Sequence, residues 1–222
     1  MFGTEGGAGL KALIITGMAG AGKTEFANCC TSLGIPVVQM GDVVRERVRQ
    51  LGLPLNGQSV GRIASAERLK FGNDIWAKRT AKIVSAAMQN TVIDGTRSEA
   101  EVAYFRRFFG ADATVVTVYA SAVTRYNRLM SRGRDDVPLS HGEFEERDRR
   151  ELGWGLGNAI ALSDRIVGNE GAIDEFRVCV KHMLSELGFT VKKEKCSFGG
   201  NEARHSQAMH GGVLCRLSGA DI

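Results

Sequence analysis

Eight residues near the start of the chain, Gly17-Met18-Ala19-Gly20-Ala21-Gly22-Lys23-Thr24, restrict its fold more than any other segment. They fit the pattern G-x-x-x-x-G-K-[ST] and lie between the apolar run Ala12-Leu13-Ile14-Ile15-Thr16 and a segment of helical character. A short apolar run that ends in a glycine-rich turn reads as a buried strand of a parallel sheet. The glycines let backbone N–H groups turn inward and approach phosphate oxygens without a Cβ in the way. The start of the following helix adds partial positive charge. Gly17, Gly20, Ala21, Gly22, Lys23 and Thr24 are therefore the expected ATP-binding residues. Lys23 would reach the β- and γ-phosphates and the Thr24 hydroxyl would ligate Mg2+.

The rest of the chain alternates the two periodicities. Helices are predicted from Lys23 to about Ser32, over Asp42–Leu51, near Gly61–Lys70 and over Asp74–Met88. Further strands are predicted at Val37–Met40, Thr91–Asp94, Ala113–Tyr119 and Arg165–Val167. Ser98 and Glu101 form a capping box opening a helix with Val102, Phe105 and Phe109 inward. Ser121 caps the next helix. The closing helix carries Ile173, Phe176, Val180, Met183 and Leu187 on one face and stops at Gly188. Such alternation predicts an α/β fold, a doubly wound parallel sheet of about five strands.

At 222 residues the chain suits one such domain, expected over 10–190, between a flexible start (1–9) and a flexible tail (191–222). No apolar run approaches the ~18 residues of a membrane span. The first residues lack the layout of a signal peptide, so a cytoplasmic location is expected. Five irregularly spaced cysteines argue against a disulfide framework, and a net charge of +4 is too mild to call for nucleic acid. Cys29, Cys30 and Cys179 read as packing residues. Cys196, His205, His210 and Cys215 match no standard zinc spacing and read as part of the tail.

A glycine-rich phosphate loop serves kinases, ATPases and switches alike, and three further constellations favour the first. Asp42 and Arg45 follow the second strand, where ligands bind in open α/β sheets, and both are candidate acceptor-binding residues. Asp94 ends the third strand, the place of a carboxylate that orients magnesium or its water, and Arg97 beyond Gly95 can fork a phosphate. From Arg125 to Arg150 there are seven arginines, no lysine and six acids. Choosing arginine throughout favours bidentate phosphate contacts in a lid that shuts out water. Arg132 and Arg134 are the candidate catalytic cations there, Arg147 and Arg150 secondary helpers, and Arg149 a solvated residue. Trp154 reads as packing at the lid base.

The segments GMAGAGKT, MGDVVRE, VIDGTRSEAEV, RLMSRGRDD, RDRRELGWG and SDRIVGNEG, in this order between Leu10 and Gly188, resemble archaeal P-loop kinases related to dephospho-coenzyme A kinase. The resemblance implies a nucleoside monophosphate kinase fold with an acceptor-binding insertion (41–89) and a lid (132–150). Similarity to adenylate kinases implies that Arg45 and Arg97 hold an acceptor's phosphate. Similarity to dephospho-coenzyme A kinases implies that Asp42 is a base toward a ribose hydroxyl. It also implies that the loop ending at Asn169 reaches the adenine of ATP. The chain has Thr96 where adenylate kinases place proline before the arginine, and it lacks the proline-leucine segment of dephospho-coenzyme A kinases.

The expected activity is transfer of the γ-phosphoryl group of ATP to a small-molecule acceptor, a nucleoside monophosphate or dephospho-coenzyme A. Asp42 is then a base for a hydroxyl acceptor or an orienting residue for a phosphate. The rival reading is a P-loop ATPase or nucleotide-dependent switch, which leaves Arg45, Arg97 and the lid without a task.

Overall fold

The computed structural model describes residues 10–131 and 140–189. Arg132 and Arg134, with the rest of 132–139, lie outside the described residues, as do the expected flexible start and tail. The described chain runs β1 (Ala12–Thr16), α1 (Lys23–Ser32), β2 (Val37–Gln39), α2 (Met40–Gln50), α3 (Gly57–Phe71), α4 (Ile75–Ala87), β3 (Thr91–Thr96) and α5 (Glu99–Phe109). It continues through β4 (Ala113–Tyr119), α6 (Ala122–Met130), α7 (His141–Gly153), α8 (Leu156–Ala161), β5 (Arg165–Gly168) and α9 (Ile173–Glu186).

The five strands form one parallel sheet in the order β2-β3-β1-β4-β5. Strand β1 is central and every residue in it is buried, because helices cover both faces of the sheet. On one face α1 and α9 pack Phe26, Cys30, Phe176, Val180 and Met183 against Leu13 and Ile15. On the other, Met40, Val44, Trp76, Phe105 and Leu156 meet Ala12, Ile14 and Ile93. Full burial of each large apolar side chain contributes about 1.5–3 kcal/mol. Strand alternation thus sends β1 side chains into both cores in turn.

The β1–β3 register slips between Ile15 and Thr16, so that Ile15 faces Asp94 while Thr16 faces Thr96. Gly95 is the residue passed over, and its φ of 103° needs glycine. The slip falls at the C-terminal edge of the sheet, beside the glycine-rich loop.

The helix starts depart from expectation in physically instructive ways. Helix α3 begins four residues earlier than predicted, because the Asn56 side chain accepts a hydrogen bond from Ser59 N at 2.8 Å and caps it. Ser98 caps α5 by accepting from Glu101 N at 3.2 Å, but the return half of the box is missing. The Glu101 carboxylate instead takes the Arg97 N–H at 2.7 Å and the Arg68 guanidinium at 2.8 Å. Helix α2 starts at Met40, which puts Asp42 in its first turn. Cys29 and Cys30 are free and buried, the second with its thiol pushed up to about 12 chiefly by burial. Cys179 packs against the same core but is disulfide-bonded, so packing alone describes only the first two. Among the described residues no helix is long and apolar enough to cross a membrane.

Candidate functional site

The loop after β1 turns on three glycines of positive φ: Gly17 at 137°, Gly20 at 82° and Gly22 at 115°. All three are also fixed by lack of space, Gly20 by the Arg125 carbonyl oxygen 2.8 Å from where its Cβ would lie. A Cβ on Gly17 would lie 2.3 Å from the Val118 carbonyl oxygen, and one on Gly22 would lie 2.1 Å from Asn169 Nδ2. The Ala21 N–H turns back to Met18 O at 3.2 Å. Lys23 Nζ donates to Gly17 O at 2.6 Å and to Met18 O at 3.0 Å, so the ammonium lies across the loop it belongs to. Desolvation there lowers its pKa to about 8, against the opposing fields of Glu151 and Asp94.

Two side chains from elsewhere clamp the loop. Asn169, 3% exposed, donates from Nδ2 to Ala21 O at 2.8 Å, while Arg128 donates to its backbone oxygen at 2.7 Å. Arg125 donates to Ala19 O at 3.1 Å and closes a bidentate pair with Asp148 at 2.9 and 2.6 Å. The Arg125 guanidinium lies 5.0 Å from the Phe144 ring centroid. Helix α7 is thereby tied to the loop through α6.

Beside the loop, Asp94 ends the regular part of β3 at 9% exposure, and its Oδ1 has no hydrogen-bond partner among the described residues. Burial raises its pKa, with Lys23 and Arg97 pulling the other way. Thr24 is half-buried in the first turn of α1. An orphaned buried carboxylate oxygen near a phosphate loop is what a magnesium site asks of the protein. That ion takes one or two protein oxygens and fills its shell with phosphate and water. Thr24 and Asp94 thus suit Mg2+ at a nucleotide.

The acceptor-side candidates line, or adjoin, a cleft of about 920 Å³ between α2, α3 and α7. Arg45, Arg68, Arg97, Arg147 and Arg150 line it, facing Glu143, Glu146 and Glu151, with Val44, Leu55, Val60, Ala64 and Trp154 as apolar wall. Asp42 does not line it. Its carboxylate, 65% exposed, accepts from Arg45 Nε at 3.0 Å and Nη2 at 2.6 Å, both on Oδ1. Arg97 Nη1 donates to Gly95 O at 3.0 Å, holding the side chain over the bulge. Arg68 is 5% exposed, paired with fully buried Glu101, and stacked 4.7 Å from the Trp154 ring centroid. Helices α2, α3 and α4 are braced together by Glu67, which pairs with Arg47 at 2.9 Å and Arg79 at 2.6 Å.

Arg68 and Glu151 are charged cleft residues that sequence reasoning did not single out. Arg68 sits in a helix whose pattern only marks a solvated cation, and its pairing with Glu101 spans 33 positions. Glu151, 4% exposed, ends an acid-rich helix and has no local signal that separates it from Glu143, Glu145 or Glu146. Burial alone would raise its pKa, but Arg97, Lys23 and Arg147 together hold it below the usual carboxylate range. Arg149 pairs with Glu145 at the surface, as a solvated residue would.

Residues 13–151 match the AAA domain family. The chain is 40% identical over 174 residues to the UPF0200 protein Ta0179 of Thermoplasma acidophilum, covering 78% of this chain and 95% of that protein. It is 42% identical over 180 residues to a UPF0200 protein of Methanoculleus marisnigri, covering 81% and 98%. Among solved structures it is similar to TT1252 from Thermus thermophilus, with a TM-score of 0.56 at 20% identity over 80% of this chain and 98% of that one. It is also similar to shikimate kinase from Acinetobacter baumannii in complex with shikimate, with a TM-score of 0.53 at 16% identity over 83% and 97%. At such identities the likeness is one of fold, and it is to the P-loop kinase fold. The parallel sheet, the loop at the end of its central strand and the extent of these matches agree: this chain belongs to the UPF0200 family, built on an AAA-type P-loop domain.

Proposed function

We propose that this chain is an ATP-dependent small-molecule kinase whose acceptor is nucleotide-like, a nucleoside monophosphate or dephospho-coenzyme A. The observation that carries this reading is the cleft whose Arg97, Arg147 and Glu151 act on Lys23 of the phosphate loop. A volume of about 920 Å³ suits a nucleotide-sized molecule, and five arginines against three glutamates leave a positive balance beside the apolar wall that suits an anion with a flat or greasy part. A bare ATPase or switch has no use for such a second cleft. Residues 41–89 are then the acceptor-binding insertion and 132–150 the lid.

Phosphoryl transfer asks the protein for positioning and charge stabilisation rather than covalent help. The loop amides and Lys23 hold the triphosphate, for which Lys23 must leave the carbonyls of Gly17 and Met18. Asn169 acts from behind, fixing Ala21 through one amide N–H while its Oδ1 accepts from Arg128 at 3.3 Å. Thr24 and Asp94 hold Mg2+, which when bound neutralises charge on the phosphate oxygens. Arg45 and Arg97 orient the acceptor, and Arg132 and Arg134 complete the closed site. Asp42 already spends one oxygen on Arg45, which makes it an orienting residue for that arginine and leaves its other oxygen for an acceptor hydroxyl.

The test measures ADP formation from Mg·ATP with AMP, CMP, UMP and dephospho-coenzyme A, for wild type, Lys23→Ala and Asp42→Asn. Acceptor-stimulated turnover that is lost by roughly 10²-fold or more in Lys23→Ala is the expected result. A slow hydrolysis indifferent to every acceptor would sink the kinase reading in favour of the switch. A fall in kcat with unchanged KM in Asp42→Asn marks a hydroxyl acceptor, whereas a rise in KM marks an orienting role.

A further inference from the structure

Glu151 stands in the last turn of α7 and lines the acceptor cleft, and only 4% of it is exposed. Its contacts are long. Oε1 lies 3.5 Å from Arg147 Nε and 3.9 Å from Arg97 Nε. Charge-assisted bonds normally close to about 2.7–2.9 Å. The pair one turn back on the same helix does close, Asp148 to Arg125 at 2.6 Å. Glu151 is therefore held by the field of several cations, Lys23 included, rather than by one committed partner.

The cations in question are those a kinase would aim at phosphate. Arg97 and Arg147 both approach Glu151 and Lys23 acts on it through its field, and the mutual repulsion of these cations in a low-dielectric site needs a counter-charge. The carboxylate supplies it. It also cannot stay: an anion enclosed among those groups repels the phosphoryl oxygens that would replace it.

We infer that Glu151 is the resident counter-ion of the phosphoryl site: in the empty protein it takes the place among Lys23, Arg97 and Arg147 that a terminal phosphate takes, and it yields that place when the nucleotide binds. This rests on reading Gly17–Thr24 as the nucleotide site. The long contacts of Glu151 leave it less firmly tied than Asp148 is to Arg125. Glu151 is thus an affinity-setting residue. It weakens the grip on the γ-phosphate in exchange for a preorganised, neutralised empty site.

The experiment compares binding of a non-hydrolysable Mg·ATP analogue and of Mg·ADP to wild type, Glu151→Gln and Glu145→Gln by titration calorimetry. Glu145 carries the same charge on the same helix outside the cleft. The expected result is that Glu151→Gln binds the analogue roughly fivefold or more tightly, and Mg·ADP within about twofold of wild type. Glu145→Gln should stay within about twofold for both. Equal or weaker analogue binding by a folded Glu151→Gln overturns the inference, including the case in which only turnover falls, which would make Glu151 a base. Should Glu151→Gln not fold, Glu151→Asp, with its charge withdrawn by one methylene, must still bind the analogue more tightly than wild type. Failure to do so overturns the inference as well. If wild type shows no saturable analogue binding, the nucleotide reading falls and takes this one with it. Binding that Lys23→Ala abolishes, with no gain in Glu151→Gln, removes only the counter-ion role.

Discussion

At the scale of single residues, Lys23 shows how little of a site's chemistry lies in the motif. The pattern calls for a cation at that position, and the structure folds the cation back onto Gly17 O and Met18 O and desolvates it until its pKa drops to about 8. Phosphate binds the charged form. Below pH 8 the ammonium is present in the free protein and affinity is full; as pH rises through that value the free protein loses the proton and binding must restore it. The dissociation constant for Mg·ATP should therefore rise toward tenfold per unit between about pH 8 and about pH 10. Titrations across that range check it, and a flat profile would place Lys23 outside the phosphate contacts. Gly22 makes a second point at this scale. With φ at 115° and Asn169 Nδ2 where a Cβ would go, Gly22→Ala should cost at least ~1–2 kcal/mol of stability, read from the urea midpoint.

At the scale of elements, the contact that matters most is between α7 and the phosphate loop. Arg125 carries it, holding Ala19 O with one edge of its guanidinium and Asp148 with both nitrogens, and its side chain is only 6% exposed. Breaking a buried pair from one side strands the other charge. Asp148→Asn should therefore destabilise the fold by about 3–5 kcal/mol. Arg149→Met, on the same helix but 71% exposed and paired with exposed Glu145, should cost under ~0.5 kcal/mol. Chemical denaturation of both variants checks the contrast. The same docking explains why Glu151 reaches the site. It lies three residues after Asp148, on the side of α7 that Arg125 draws toward the loop.

At the scale of the whole molecule, the strand order β2-β3-β1-β4-β5 brings the ends of β1 and β3 together and opens a crevice above them. The loop, Asp94 and Arg97 meet there because two neighbouring parallel strands end at one edge, although some seventy positions separate them in the chain. A ligand seated across that edge braces the central sheet. Mg·ATP at about 100 times its dissociation constant should add ~2.7 kcal/mol, which raises Tm by roughly 5–10 °C for a domain of this size. A thermal melt reads this directly, and Lys23→Ala should show little of it.

Much of the fold was legible in the sequence, because its signals are local. The apolar runs at Ala12–Thr16 and Ala113–Tyr119 have no other way to be buried, the helical spacing of Val102, Phe105 and Phe109 needs only its own turn, and the glycine-rich loop tolerates few substitutes. The early start of α3 was not legible, since Asn56 acts as a cap only once the chain before it is in place. The cleft was half legible. Arg45 and Arg97 follow strand ends, where a sheet of this type always presents its ligand side. Arg68 and Glu151 gave no sign, because their partners, Glu101 for the first and Lys23, Arg97 and Arg147 for the second, come from other elements. Periodicity determines which residues face inward; only the docking of one element on another decides which buried charges meet, since Coulomb forces act through space and not along the chain.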